Sequence, residues 1–121
     1  MKTLVLLAHG SRHRATADEV AVLATSIAAT TKCDVRHAFL EINRPTLIDT
    51  IAQAVEDGAK RITVLPLFVN TGNHIVRDLP QLIAEARERF PSVRLELLRH
   101  IGAHPGYTGL VETIAREAAG L

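Results

Sequence analysis

Two near-continuous apolar runs, Leu4-Val5-Leu6-Leu7-Ala8 and Ile62-Thr63-Val64-Leu65-Pro66-Leu67-Phe68-Val69, most constrain what this chain can fold into. A strand with one wet face alternates polar and apolar residues. Runs without that alternation, here Thr3 to Ala8 and Arg61 to Val69, read as strands covered by helices on both faces, the condition of a parallel sheet. Two weaker strands are expected at Asp34 to Glu41 and Val93 to Arg99. Helical spacings fill the intervals: Val20, Leu23, Ala24 and Ile27; then Leu47, Ile51 and Val55 with Ile48 and Ala52, opened near Pro45 and stopped by Gly58. A third stripe holds Leu79, Leu82, Ile83, Ala86 and Phe90, with Asp78 as its N-cap, Pro80 in its first turn and Pro91 just past its end. Tyr107, Leu110, Val111, Ile114 and Ala118 make the last. Strands alternating with helices of this length pair in parallel through right-handed crossovers. The expected fold is an α/β, four-stranded, doubly wound parallel sheet of flavodoxin-like type.

Each central run delivers a histidine into a glycine-bearing loop, His9-Gly10-Ser11 after the first and Gly72-Asn73-His74 after the third. Ligands of open α/β sheets bind in the crevice beyond the carboxyl ends of the strands. Both imidazoles are therefore expected over one crevice. That requires the first and third strands to be neighbours and predicts the strand order 2-1-3-4. Glu41 emerges from the second strand on the same edge, where it either meets a histidine, pairs with Arg44 or is solvated. Two imidazoles with one carboxylate suit a borderline divalent ion such as Co²⁺, Ni²⁺, Fe²⁺ or Zn²⁺ better than Mg²⁺ or Ca²⁺.

Composition narrows the partners. A chain of 121 residues is expected to form one domain, residues 1–121, burying roughly two-thirds of its unfolded surface. A formal net charge of +1 supplies no single-signed field to attract nucleic acid or anionic lipid, and with 3% aromatic residues and no Trp there is no platform for stacking bases. No nucleic acid and no membrane are expected as partners. Cys33 is the only cysteine, which forbids an internal disulfide; it reads as a small buried hydrophobe at a strand start and fits a reducing compartment. The first apolar run is too short to span a bilayer and has no small-residue cleavage site, so a cytoplasmic location is expected. Of the other histidines, His13 falls in the basic Arg12-His13-Arg14 loop and His37 within a strand, and neither is given a catalytic role. His100 and His104 flank the end of the fourth strand and are further candidates for substrate or metal delivery. The sequence holds no H-E-x-x-H, C-x-x-C, G-x-x-x-x-G-K-[ST] or G-x-G-x-x-G pattern, so no nucleotide site is expected.

The segments L-L-A-H-G-S-R, F-L-E-I-N-R-P and L-P-L-F-V-N-T-G-N-H-I-V-R-D-L-P resemble the CbiX/SirB family of sirohydrochlorin chelatases, and the resemblance spans nearly the whole chain. Its specific part is the G-x-H-x-x-x-D-[IL]-P block combined with the strand-end A-H-G-S. The resemblance implies an ATP-independent enzyme that inserts Co²⁺, or in relatives Fe²⁺ or Ni²⁺, into sirohydrochlorin. His9 and His74 match the family's active-site pair. It also implies the small, single-half form, which works as a homodimer, whereas larger members carry two halves in one polypeptide; the chain has no His-rich tail.

Metal insertion exchanges two inner N–H protons of the macrocycle for M²⁺. An imidazole, titrating near ~6.5 when unperturbed, is available at neutral pH both as ligand and as base. His9 and His74 are thus expected to hold the metal or remove pyrrole protons, with Glu41 orienting an imidazole or assisting proton removal. The substrate's rim carboxylates call for guanidinium partners, with Arg12, Arg14, Arg44 and Arg77 as candidates. Ser11 and Asn73, in the same loops, join them as substrate-binding candidates. Two other readings compete. A histidine phosphatase places an arginine directly before its His-Gly pair, where this chain has Ala8. A noncatalytic metal or tetrapyrrole carrier could share the same fold.

Overall fold

The computed structural model describes residues 1–70 and 72–121; Thr71 and the side chains of Asn73, His74 and Val76 lie outside the described residues. The elements are β1 (Lys2–Ala8), α1 (Arg14–Thr31), β2 (Asp34–Phe39), α2 (Leu47–Glu56), β3 (Arg61–Pro66), α3 (Asn73–Arg89), β4 (Arg94–Leu97), a single 3-10 turn (Ile101–Ala103) and α4 (Pro105–Ala118). All strand pairs are parallel, in the order β2-β1-β3-β4. The fold class and strand order are those expected from the sequence.

Register explains why the core lies where it does. Val5 pairs with Val64 and Leu7 with Ala38, so these side chains share one face of the sheet. Against that face α2 brings Leu47, Ile51 and Ala54, and α3 brings Leu79, Ile83 and Ala86, forming one continuous buried cluster. Each fully buried Leu, Ile or Val there contributes about 1.5–3 kcal/mol of hydrophobic stabilisation. The Thr46 hydroxyl caps α2 by accepting from the Asp49 N–H at 3.2 Å. On the opposite face Leu6 is buried, and α1 packs mainly over β2 with Ala24 as its one buried residue. Among the described residues no helix is long and apolar enough to cross a membrane.

Several expectations need correcting. Helix α3 begins at Asn73, with Gly72 in the extended N-cap position, so Asp78 is not its cap and Pro80 lies in the helix interior. Ile75 stands four residues before Leu79 and packs against the core, which extends the apolar stripe one turn upstream. That burial offsets the hydrogen bond Pro80 cannot donate to the carbonyl four residues back. Cys33 is exposed rather than buried, because it lies in the turn before β2. Leu23, expected on the buried face of α1, is 42% exposed. Strands β2, β3 and β4 end earlier than their apolar runs, and Arg14 opens α1 instead of belonging to a loop. Helix α4 forms where its spacing predicts but covers neither face of the sheet: it holds no buried residue.

Candidate functional site

His9 and Glu41 are brought together by continuation of the parallel ladder past the strand ends. The Leu40 N–H donates to the Ala8 carbonyl at 2.9 Å and the Glu41 N–H to the His9 carbonyl at 3.0 Å. With the backbones held this way, His9 Nε2 lies 2.8 Å from Glu41 Oε1. The two side chains are 43% and 51% exposed, open enough for a ligand to reach them. The His9 ring also makes a T-shaped contact with Phe68, which follows β3, with centroids 6.2 Å apart and planes at 67°. Three adjacent strands thus converge on one imidazole.

The loops that carry the pair are locked against each other. Gly10 has φ +112°, a conformation that favours glycine, and a Cβ there would collide with the Glu41 carbonyl oxygen. Ile42 sits at φ +69°, flanked by an N–H from Asn43 to the Glu41 carbonyl at 2.8 Å, the three-residue pattern of a γ-turn. A β-branched residue in left-handed backbone is strained. Here that strain sits directly beside the carboxylate that faces His9. Asn43 Oδ1 accepts from the Ser11 N–H at 2.7 Å, and Ser11 Oγ accepts from the His13 N–H at 3.0 Å.

The chemical capacity of the pair follows from its hydrogen bond. An ionised carboxylate only accepts, so facing one, His9 Nε2 carries the proton and Nδ1 presents the lone pair, ready to bind a metal ion or take a proton. His74 is the second residue of α3, at the same carboxyl edge of the sheet and after the strand adjacent to β1. Its ring and the Asn73 amide lie outside the described residues, and so does the expected meeting of two imidazoles. Among the described residues no group of three His, Cys, Asp or Glu side chains is placed to hold a metal ion.

The candidate substrate-binding arginines are all exposed: Arg12 in the loop after His9, Arg14 at the first residue of α1, Arg44 just before the cis Arg44–Pro45 bond, and Arg77 in α3. His13 takes the N-cap position of α1 without a side-chain bond. His37 packs edge-on to Phe39 inside β2, and burial pushes its pKa down. His104 caps α4: its Nδ1 accepts the Gly106 N–H at 2.9 Å at the start of the helix. His100 lines a groove beyond β4.

Sequence reasoning missed three contributors. Phe68 read only as strand core, although a large apolar residue just beyond the end of a central strand can buttress a neighbouring loop. Asn43 carried a signal in its type, since Asn side chains accept from nearby backbone in turns. Gly102 admits no Cβ, which would strike the Val69 carbonyl, and its N–H donates to the Phe68 carbonyl at 3.1 Å. The segment after β4 therefore fixes the segment that holds Phe68.

Comparison with known proteins gives consistent findings. The chain matches the CbiX family model over residues 3–118. It is 39% identical over 84 residues to a sirohydrochlorin cobaltochelatase of Methanococcus aeolicus, an alignment covering 69% of this chain and 59% of the relative. It is 34% identical over 104 residues to a sirohydrochlorin ferrochelatase of Bacillus subtilis, covering 84% of this chain and 40% of the relative. The chain thus spans only part of the length of these curated relatives. Among solved structures, a chain from Marinobacter aquaeolei VT8 described as a cobalamin (vitamin B12) biosynthesis CbiX protein superposes with a TM-score of 0.87 at 25% identity, covering 99% of this chain and 98% of that one.

Proposed function

This chain belongs to the CbiX family, and from that premise we propose that it inserts a divalent metal ion into sirohydrochlorin without nucleotide hydrolysis. Co²⁺ is the first candidate, with Fe²⁺ or Ni²⁺ as alternatives; relatives named as a cobaltochelatase and a ferrochelatase support the first two. Residues 1–121 act as one chelatase domain, in a cytoplasmic homodimer. The observation that carries the proposal is the His9–Glu41 pair, 2.8 Å apart at the carboxyl edge of adjacent parallel strands and open to a ligand.

In this reading the metal ion and the macrocycle are both substrates. His9, held by Glu41 and Phe68, uses Nδ1 to carry the ion to the ring or to accept one of the two protons displaced from the inner nitrogens. The charge that then develops on the imidazole is offset by the Glu41 carboxylate. His74 supplies the second imidazole. Arg12, Arg14, Arg44 and Arg77, with Ser11 and Asn73, meet the carboxylates on the rim of the macrocycle, guanidinium groups binding them in bidentate fashion.

The test is to mix the purified protein with sirohydrochlorin and Co²⁺, and separately Fe²⁺ and Ni²⁺ under anaerobic conditions, and to follow the absorption change on metallation. Acceleration over the spontaneous rate is expected, with a loss of at least about 100-fold in His9→Ala, the scale of one general base, and a thermal melt close to the parent's. No acceleration with any of the three metals overturns the proposal. Retained turnover in folded His9→Ala removes His9 from the mechanism.

A further inference from the structure

The loop from Leu40 to Pro45 carries Glu41 and is tied at two levels. At its base the Phe39 N–H donates to the Pro45 carbonyl at 2.9 Å, which brings the chain back to β2 before α2 starts at Leu47. Nearer its tip two bonds cross to the loop after β1, one on each side of Gly10: the Glu41 N–H to the His9 carbonyl at 3.0 Å, and the Ser11 N–H to Asn43 Oδ1 at 2.7 Å. The first continues the backbone ladder. The second is made by a side chain, because at Ile42 the backbone has turned out of the ladder.

That turn needs something to hold it. Ile42 is 59% exposed, so little packing offsets its left-handed φ of +69°, and a β-branched residue keeps that conformation only where its surroundings over-determine it. The surroundings supply two constraints, both on Asn43: its N–H donates to the Glu41 carbonyl at 2.8 Å, and its side-chain oxygen is held by the Ser11 N–H. Gly10 permits the close approach, since the Glu41 carbonyl occupies the place of a Cβ, but it exerts no pull. The half-exposed His9–Glu41 pair is a weak tie for a loop by itself.

We propose that Asn43 is a positioning residue for metal insertion: through the Ser11 N–H it holds Ile42 in its strained turn, and that turn keeps the Glu41 carboxylate on His9 Nε2. Its effect reaches the reaction through His9. With the carboxylate in place, the ring keeps its proton on Nε2 and its lone pair on Nδ1. Without the amide oxygen, Ile42 relaxes toward ordinary backbone, the carboxylate leaves the imidazole, and the ring divides between its two tautomers. An aspartate carboxylate offers Ser11 an oxygen in the same place and preserves the tie. The inference rests on the part given to His9 in the functional proposal and adds to it the residue that sets the carboxylate.

Heteronuclear NMR of the full chain, isotope-labelled at the histidine ring nitrogens and held well above the ~6.5 of an unperturbed imidazole, reports the tautomer of each ring, with His9→Gln identifying the His9 signals. The parent is expected to carry the His9 proton on Nε2 alone. Asn43→Ala, and Asn43→Leu, which keeps the shape of the side chain without its acceptor, should each show mixed tautomers and faster hydrogen exchange at the Ser11 amide, with a thermal melt close to the parent's. In both, kcat for Co²⁺ insertion should fall about 10–100-fold, the usual scale for losing the support of a ligating histidine, while KM for sirohydrochlorin stays the same. Asn43→Asp should restore the single tautomer and most of the rate. A His9 tautomer in the Ala and Leu variants equal to the parent's overturns the proposal whatever the rate does, and so does an unchanged kcat beside mixed tautomers. Should the parent metallate sirohydrochlorin with no metal, the functional reading falls, and the tautomer comparison still decides whether Asn43 sets the pair.

Discussion

In the proposed mechanism His9 and Glu41 do different work, and substitution can separate them. Glu41→Gln keeps the size of the side chain but removes its charge, and the amide can present either its oxygen or its NH₂ to His9 Nε2. Where the NH₂ faces Nε2, the ring must put its proton on Nδ1, the atom needed as ligand or base. Metallation should fall about 10–100-fold, as is usual when the partner that orients a ligating histidine is lost. The melting temperature should change little, because the pair is half-exposed and exposed ion pairs contribute about 0–1 kcal/mol. A rate in Glu41→Gln equal to the parent's would show that the carboxylate plays no part in turnover. Both residues were legible in the sequence for one reason: strand ends of a doubly wound sheet are where ligands bind, and the strand ends were marked by the apolar runs. Phe68 and Asn43 were not legible because their roles depend on a neighbour in space. A loop amide shows its acceptor only once β1 and β2 are in register.

At the scale of elements, β2 carries a built-in acid sensitivity. His37 lies against Phe39 and its folded pKa is pushed down by burial, while the unfolded chain keeps a value near ~6.5. Between the two, the unfolded state binds more protons, so stability is fully present above the unfolded value and is lost as pH falls through it toward the folded one. His37→Gln should therefore flatten the decline in melting temperature between neutral and mildly acidic pH. Thermal unfolding of both proteins across that range reads the difference directly, and parallel curves would show that other groups set the slope. The elements differ in how well their boundaries could be read. For α2, Thr46 and the buried stripe agree with each other and the helix lies where it was expected. For α3, Asp78 and Pro80 together read as a start signal, yet the burial of Ile75 one turn earlier outweighed the proline, as tertiary packing commonly outweighs local propensity.

The whole molecule is a sheet with two unequal faces, and this asymmetry shapes its stability. The α2 and α3 face holds the continuous core; the other face has α1 over one half and a groove over the rest. An amphipathic stripe such as Tyr107 to Ala118 tells that a face needs cover, not which surface supplies it, so the detachment of α4 from its own sheet could not be read from the sequence. Mutations on the two faces should consequently behave differently. Ile62→Ala, at a site with no exposure, should cost about 2–5 kcal/mol, a large share of the roughly 5–15 kcal/mol typical of a domain, and its cost should not depend on protein concentration. Leu65→Ala removes a half-buried side chain from the floor of the groove and should cost less than Ile62→Ala. In the proposed homodimer, association stabilises the folded state by mass action, so the melting temperature of the wild type should rise with protein concentration. Differential scanning calorimetry at several concentrations spanning two orders of magnitude makes the comparison. A wild-type midpoint that stays constant across that range would remove the homodimer from the functional proposal.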